Sequence, residues 1–342
     1  MAAQILSTHT PALFAAAVKR AADALRAGEV VALPTETVYG LAANALDEKA
    51  VAKIFQVKGR PANNPVIVHV ASVEMAKHCV TDWPADADQL AKAFWPGPLT
   101  LVLPRTREIP DLVTAGGPTV GVRWPGHPLI QAVIRECDFP LAAPSANVSS
   151  RVSPTTAEHV RQQLGGKISL IIDGGPSQVG IESTVLDLTP LLRPKAGPPE
   201  ILRPGMIHAE SLAAVCGEVT SGKRPVTGNN SLRSPGLLQK HYSPKAKLFV
   251  LDWKDDVDLL ARLVTCHLSR ATGHVIAHTQ IPSAEHFENV SVIPHDAEAF
   301  ARAIYAELHR CDEVGAEWIV VEAPPDLPEW SAIADRLRRA AA

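Results

Sequence analysis

Four short segments of this chain combine turn residues with hydroxyls, cations and amides that an apolar core has no use for. The first, PTETVYGLAAN from Pro34, follows the apolar run Val30 to Leu33 and offers hydroxyls at Thr35, Thr37 and Tyr39, while Gly40 lets the backbone approach a ligand. Taken alone it is ordinary strand-end turn chemistry. The second, KGRPANNPVIVHV from Lys58, sets Lys58 and Arg60 two apart beside a proline-restricted loop, with Asn63, Asn64 and His69 following. A point cation and a planar fork suit a polyphosphate, although a lysine at the carboxyl end of a helix is equally a solvated cap. In the third, WPGPLTLVLP and then GGPTVGVRWPGHP, Arg123 ends an apolar strand, a place for a rim ion pair or for a substrate carboxylate. The fourth, APSANVSSRVSPTT with GGPSQVGIESTV and ILRPG, supplies Ser145, Asn147, Ser153, Ser183, Thr184 and Arg203. Small hydroxyls and glycines there permit close backbone contact with a nucleotide.

Standard phosphate cradles are missing: there is no G-x-x-x-x-G-K-[ST] and no G-x-G-x-x-G after a strand. No G-x-S-x-G elbow or Cys-His-Asp arrangement suggests a covalent nucleophile. Position and charge, rather than covalent catalysis, are what these residue types offer.

Hydrophobic spacing places the segments on a regular frame. Helices are predicted over Pro11 to Ala27 (capped by Thr10, stopped by Gly28), Glu48 to Val57, Ala85 to Phe94, Pro128 to Cys137, Thr156 to Leu164 and Ala209 to Cys216. Between them lie strand-like runs at Val30 to Leu33, Val66 to Val70, Thr100 to Leu103, Thr119 to Arg123, Pro140 to Ala143, Ser169 to Ile172 and Thr184 to Leu188. This predicts an α/β domain over 1–216 with a twisted mixed sheet. Residues 217–246 lose periodicity and fill with Gly, Pro, Ser, Asn and basic residues, which reads as a linker or active-site lid. Strand and helix then alternate over 247–342, predicting a smaller, doubly wound, Rossmann-like α/β domain.

Composition restricts the partners. With 33 Lys plus Arg against 36 Asp plus Glu, no global cationic field recruits nucleic acid, so an RNA or phosphate site must be local. The five cysteines show no metal-type pairing. No apolar run approaches the ~20 residues of a membrane span, and the expected location is the cytoplasm.

The motifs PTETVYG, KGRP with downstream VIVH, WPGPLT, APSAN and ESTV, in this order, closely resemble the YrdC-type threonylcarbamoyl-AMP synthases, and SPGLLQKHYSP before a small α/β unit resembles the longer, two-domain branch. One departure, Ala42 where the family carries a second glycine, keeps a small residue. The resemblance implies that L-threonine, bicarbonate and ATP are condensed to threonylcarbamoyl-adenylate and pyrophosphate, with Mg2+ held mainly by the ATP phosphates rather than by protein side chains. It further implies that Thr37, His69, Arg123, Ala143 and Ser183 line the threonine pocket, Arg123 taking the carboxylate. Lys58, Arg60, Asn64, Thr119, Ser145, Asn147, Ser153 and Arg203 would hold ATP, with His241 or Tyr242 closing over it and Lys58 and Arg60 the catalytic cations. The product would pass to a transferase machinery that modifies tRNA, with tRNA an indirect partner reached through that machinery. Two alternatives belong to other classes: an RNA-binding module without turnover, and a carbamoyl transferase.

Overall fold

The computed structural model of the chain describes residues 3–221, 234–236, 240–266, 268 and 272–342. Residues 222–233 and 237–239, much of the expected lid, lie outside the described residues, as do 267 and 269–271. The chain forms two compact units, 1–149 with 154–237, and 150–153 with 238–342. The segment 217–246 is thus divided between them, and the short stretch 150–153 joins the second unit, where Ser243 N donates to Ser150 O at 2.9 Å.

The first unit is built on one mixed sheet. Its strands are β1 (Gln4–Ser7), β2 (Val31–Leu33), β3 (Gly40–Asn44), β4 (Val68–His69), β5 (Leu99–Pro104), β6 (Thr119–Arg123), β7 (Leu141–Ala142), β8 (Leu170–Asp173), β9 (Thr184–Asp187), β10 (Glu200–Arg203) and β11 (Thr220–Ser221). Among the described residues their order is β1-β8-β2-β3-β7-β4-β6-β5-β9-β10-β11. Strand periodicity sorts side chains onto two faces. One face, with Leu101, Leu103, Val120, Val122, Val68 and Leu186, packs against helices Glu48–Lys58, Ala85–Phe94 and Ala157–Leu164. The other face is covered by helices Pro11–Arg26 and Pro128–Cys137 over β1, β8, β2, β3 and β7. Beyond β7 that second face is lined instead by Ile67, Thr100, Val102, Thr119, Gly121 and Val185, which bound a cavity of about 50 Å³.

The helices form where caps and apolar stripes coincide. Thr10 Oγ1 accepts from Leu13 N at 3.2 Å with Pro11 in the first turn. Asp47 caps Glu48–Lys58, and Gly59, in the left-handed region at φ 62°, ends it. The run Val66 to Val70, expected as a strand, pairs only over Val68–His69, because Val66 N turns away to Val113 O at 2.8 Å. The stretch after Tyr39, expected as loop, is strand β3.

Among its described residues the second unit has four parallel strands, β12 (Lys247–Leu251), β13 (Gly273–Ala277), β14 (Val290–Val292) and β15 (Trp318–Glu322), in the order β12-β15-β13-β14. Helices Asp256–Thr265, Ala297–Glu313 and Ser331–Ala340 accompany it, as expected of a doubly wound domain. Its core gathers Trp253, Leu259, Leu263, Val275, Phe287, Trp318 and Val320. Gly273 is required there, since a Cβ would lie 1.8 Å from the Trp318 ring. No helix of the described residues is long and apolar enough to cross a membrane.

Candidate active site

Sheet register brings distant segments together on the uncovered face. β4 and β6 run parallel with His69 opposite Arg123, and β6 pairs antiparallel with β5, which runs parallel to β9. Because neighbours in register share a face, His69 and Arg123 lie side by side. Ile201 and Arg203 on β10 are two apart and would ordinarily face the same way. A register shift between them pairs Ile201 with Leu186 on the core face but Arg203 with Val185 on the cavity face. The bulge thus turns a buried arginine toward the site. Its guanidinium donates from Nε and Nη2 to Ser183 O at 3.1 and 2.9 Å, from Nη2 to Ser183 Oγ at 3.0 Å, and from Nη1 to Pro235 O at 3.3 Å. Ser183 Oγ also pairs with Thr100 Oγ1 at 2.9 Å. Ser234 and Pro235 line the cavity beside Thr100 and Thr119, so one described piece of the 217–246 segment sits at this site.

Arg123 is 3% exposed, donates from Nε to Gly97 O at 3.2 Å, and forms an ion pair from Nη2 to Glu36 Oε1 at 2.7 Å. The second oxygen of Glu36 is buried with no hydrogen-bond partner among the described residues. A cation and an anion held edge to edge on a strand end match the two charges of an α-amino acid. Thr37 Oγ1 meets Thr35 Oγ1 at 2.9 Å, and Ala143 forms a tight floor against Gly40, where a Cβ would approach the Ala143 Cβ to 3.3 Å.

The second cluster surrounds Lys58. Its ammonium, 1% exposed, donates to Ser145 O at 2.5 Å, Asn147 O at 2.6 Å and Asn147 Oδ1 at 3.3 Å. Burial, and secondarily Arg60, draw its pKa well below the ordinary lysine value. Three acceptors around three N–H groups hold the protonated form against that pull. Arg60 donates from Nε to Asn64 O at 3.0 Å, and from Nη2 to Asn64 Oδ1 at 2.7 Å and Pro65 O at 2.6 Å. Lys58 is therefore a buried hub tying the KGRP segment to APSAN, not the solvated helix end that spacing alone allowed.

Ser153, His241 and Tyr242 are buried in the second unit. Ser153 O faces His309 Nε2 at 3.1 Å, and Tyr242 stacks on Tyr305 with centroids 6.0 Å apart. His241 meets the Tyr242 ring edge-on at 4.0 Å. Tyr242 adopts φ 64°, a left-handed backbone unusual for a bulky residue.

A family model described as "Telomere recombination", for Sua5, YciO and YrdC proteins, matches residues 23–205, and one described as "Threonylcarbamoyl-AMP synthase, C-terminal domain" matches residues 207–342. The chain belongs to the Sua5/YciO/YrdC family. It is 39% identical over 332 residues to a threonylcarbamoyl-AMP synthase of Pyrococcus abyssi, covering 94% of this chain and 93% of that protein. It is 40% identical over 341 residues to the Bacillus subtilis threonylcarbamoyl-AMP synthase, covering 98% and 94%. The crystal structure of Pyrococcus abyssi Sua5 complexed with L-threonine superposes with a TM-score of 0.87 at 37% identity, covering 99% of this chain and 97% of that one. Both units match, so the chain is of the two-domain Sua5 type, whose curated relatives are named as enzymes.

Within this Sua5-type unit, sequence reading missed Glu36 and Thr100, which sit against Arg123 and Ser183. The only signal for Glu36 was its place between Thr35 and Thr37 in a turn already suspected. His69 carries a testable electrostatic consequence. Burial, then the charge of Arg123, push its pKa from 6.5 down to about 3, and its Nδ1 is buried without a hydrogen-bond partner among the described residues. The unfolded chain binds a proton near pH 6.5 that the folded chain refuses until about pH 3. Stability is therefore complete above pH 6.5 and falls as pH drops through that window, by up to about 1.4 kcal/mol per pH unit. Urea unfolding at pH 5 and pH 7.5 should show a loss of about 2 kcal/mol attributable to His69. His69→Gln is expected to flatten that difference.

Proposed function

We propose that the chain is an L-threonylcarbamoyladenylate synthase, a nucleotidyltransferase that joins L-threonine, bicarbonate and ATP into threonylcarbamoyl-AMP with release of pyrophosphate, for threonylcarbamoyladenosine in tRNA. The observation that carries this reading is the buried Arg123–Glu36 pair with His69 opposite Arg123 in register, in the same unit as an independent cluster of buried cations, Lys58 and Arg60. One suits an amino acid, the other a nucleotide.

In this reading Arg123 takes the threonine carboxylate, with Thr37, His69, Ala143 and Ser183 around the substrate. Neutral His69 adds a hydrogen-bonding wall without adding charge. The threonine amine captures carbon dioxide derived from bicarbonate, and a carbamate oxygen attacks the α-phosphorus of ATP, expelling pyrophosphate. No protein nucleophile is needed. Arg60 and Arg203 bring forked donors to ATP with Asn64, Thr119, Ser145 and Asn147, while Lys58 fixes the 145–147 backbone that presents those groups. Ser153, with His241 and Tyr242, remains assigned to ATP in this proposal. These side chains are cations, amides and hydroxyls, a donor set for phosphate oxygens, and Glu36 is engaged by Arg123. Magnesium therefore fits as a companion of ATP, neutralising charge on its phosphates. Residues 217–246, with Ser234 and Pro235 already against the site, would keep water from a carbamate that otherwise loses carbon dioxide. The cytoplasm, where ATP and tRNA are both at hand, is the location this reading carries.

Purified protein given ATP, magnesium, bicarbonate and L-threonine is expected to release pyrophosphate only when both threonine and bicarbonate are present, and more slowly with serine. Release indifferent to both would sink the proposal.

A further inference from the structure

Three of the residues assigned to ATP above, Ser153, His241 and Tyr242, belong to the second unit, and two of its helices hold them. On helix Ala297–Glu313, Tyr305 and His309 are four apart and so share a face. Tyr305 stacks on Tyr242 with the rings 24° from parallel, and His309 Nε2 lies 3.1 Å from Ser153 O. On helix Ser331–Ala340, Arg339 O accepts the His241 N–H at 3.1 Å, and the Arg336 guanidinium lies over the Tyr242 ring, its central carbon 5.2 Å from the centroid. The Tyr242 ring is thus gripped by an aromatic ring from one helix and a cation from the other.

Arg336, Tyr242 and Tyr305 are each 1% exposed. A guanidinium so deep needs a counter-charge. Arg336 Nη1 donates to Asp335 Oδ2 at 3.0 Å, and Arg339 Nε donates to the two oxygens of the same carboxylate at 3.0 and 3.2 Å. Asp335 thereby fixes both the arginine over the ring and the arginine whose carbonyl holds His241. The adjoining chain is braced as well, since Ser243 N donates to Ser150 O at 2.9 Å and Arg151 bridges to Ser243 as a β-pair.

Tyr242 requires this bracing. Its φ of 64° lies in the left-handed region, which a bulky residue keeps only where its surroundings hold it there. With the ring released, the backbone would relax to a commoner conformation and carry His241 and Tyr242 with it. We propose that Arg336, in the last helix of the chain, is a positioning residue for ATP: by holding the Tyr242 ring it presets the 241–242 segment for the nucleotide. The inference rests on the proposed function only in taking Tyr242 as an ATP contact. It gives the second unit a definite task, the presentation of Ser153, His241 and Tyr242 from two helices.

The chain has 3 tyrosines, Tyr39, Tyr242 and Tyr305, so fluorotyrosine labelling of the full chain gives one fluorine resonance for each, assigned by Tyr39→Phe, Tyr242→Phe and Tyr305→Phe. ATP with magnesium and no threonine is expected to shift the Tyr242 resonance of the unaltered protein. In Arg336→Met that resonance should move before ATP is added, and about tenfold more ATP should be needed to shift it, because a segment preset in only about a tenth of the molecules weakens apparent affinity about tenfold. Arg336→Lys, which keeps a cation over the ring, should recover most of the loss. In pyrophosphate release the same rise should fall on KM for ATP, with KM for threonine and kcat changed less than about twofold. A thermal melt checks folding; if Arg336→Met does not fold, Tyr305→Leu removes the stack instead and carries the same expectation. The titration needs no turnover, so a protein that binds ATP in this way yet releases no pyrophosphate overturns the synthase reading alone. A Tyr242 resonance indifferent to ATP, unchanged ATP affinity in the folded variant, or equal losses for ATP and threonine would each overturn the inference, the last by showing a merely structural part for Arg336.

Discussion

Arg123→Lys is expected to raise the threonine concentration needed for half-maximal pyrophosphate release by about 10- to 100-fold, with the ATP requirement little changed. A charge-assisted hydrogen bond is worth about 1.5–3 kcal/mol, and tenfold in affinity is about 1.4 kcal/mol. Lysine keeps the charge but not the fork. In the native site that fork already serves Gly97 O and Glu36 Oε1 from two separate nitrogens, leaving Nη1 for a substrate carboxylate. A single ammonium on a flexible stem has no such division of labour. Steady-state kinetics with threonine as the varied substrate decides the matter: an unchanged half-saturating concentration removes Arg123 from the carboxylate role.

Lys58→Met should be damaging for a different reason. Methionine fills similar volume, yet it removes the Lys58 ammonium from Ser145 O, Asn147 O and Asn147 Oδ1. Each unsatisfied buried acceptor costs about 1–3 kcal/mol, so a total of about 2–5 kcal/mol is expected after partial relaxation. For a unit of this size that lowers the melting temperature by roughly 5–15 °C. Because the same backbone presents Ser145 and Asn147, the thermal shift produced by ATP should vanish as well. A variant that melts like the parent would show that the Lys58 hub is not what holds the KGRP and APSAN segments together.

These two residues show how differently sequence and fold speak. Arg123 was legible because Thr119 to Arg123 is an alternating strand ended by a cation, and the structure returns that strand with the same bounds. Lys58 was legible only as a cation near a helix end, and its burial under the 145–147 backbone depends on a contact spanning 87 to 89 residues. Strand β3 went unseen because glycine and alanine blur the alternation that marks a strand. Glu36 was overlooked because a lone carboxylate in a turn acquires meaning only beside Arg123, 87 positions away.

By itself the sequence determined the elements whose signals are local: capped helices such as Pro11–Arg26 and Pro128–Cys137, the α/β class, the doubly wound second unit, and through its ordered motifs the family. Only the tertiary structure decided which face of the sheet stays free of helices, that a bulge between Ile201 and Arg203 turns the arginine to that face, and that Arg123 is met by Glu36. Periodicity and capping are set by neighbours within a turn or two of chain. Register shifts and ion pairs arise when strands far apart in sequence are brought into hydrogen-bonded contact, and no local pattern encodes them.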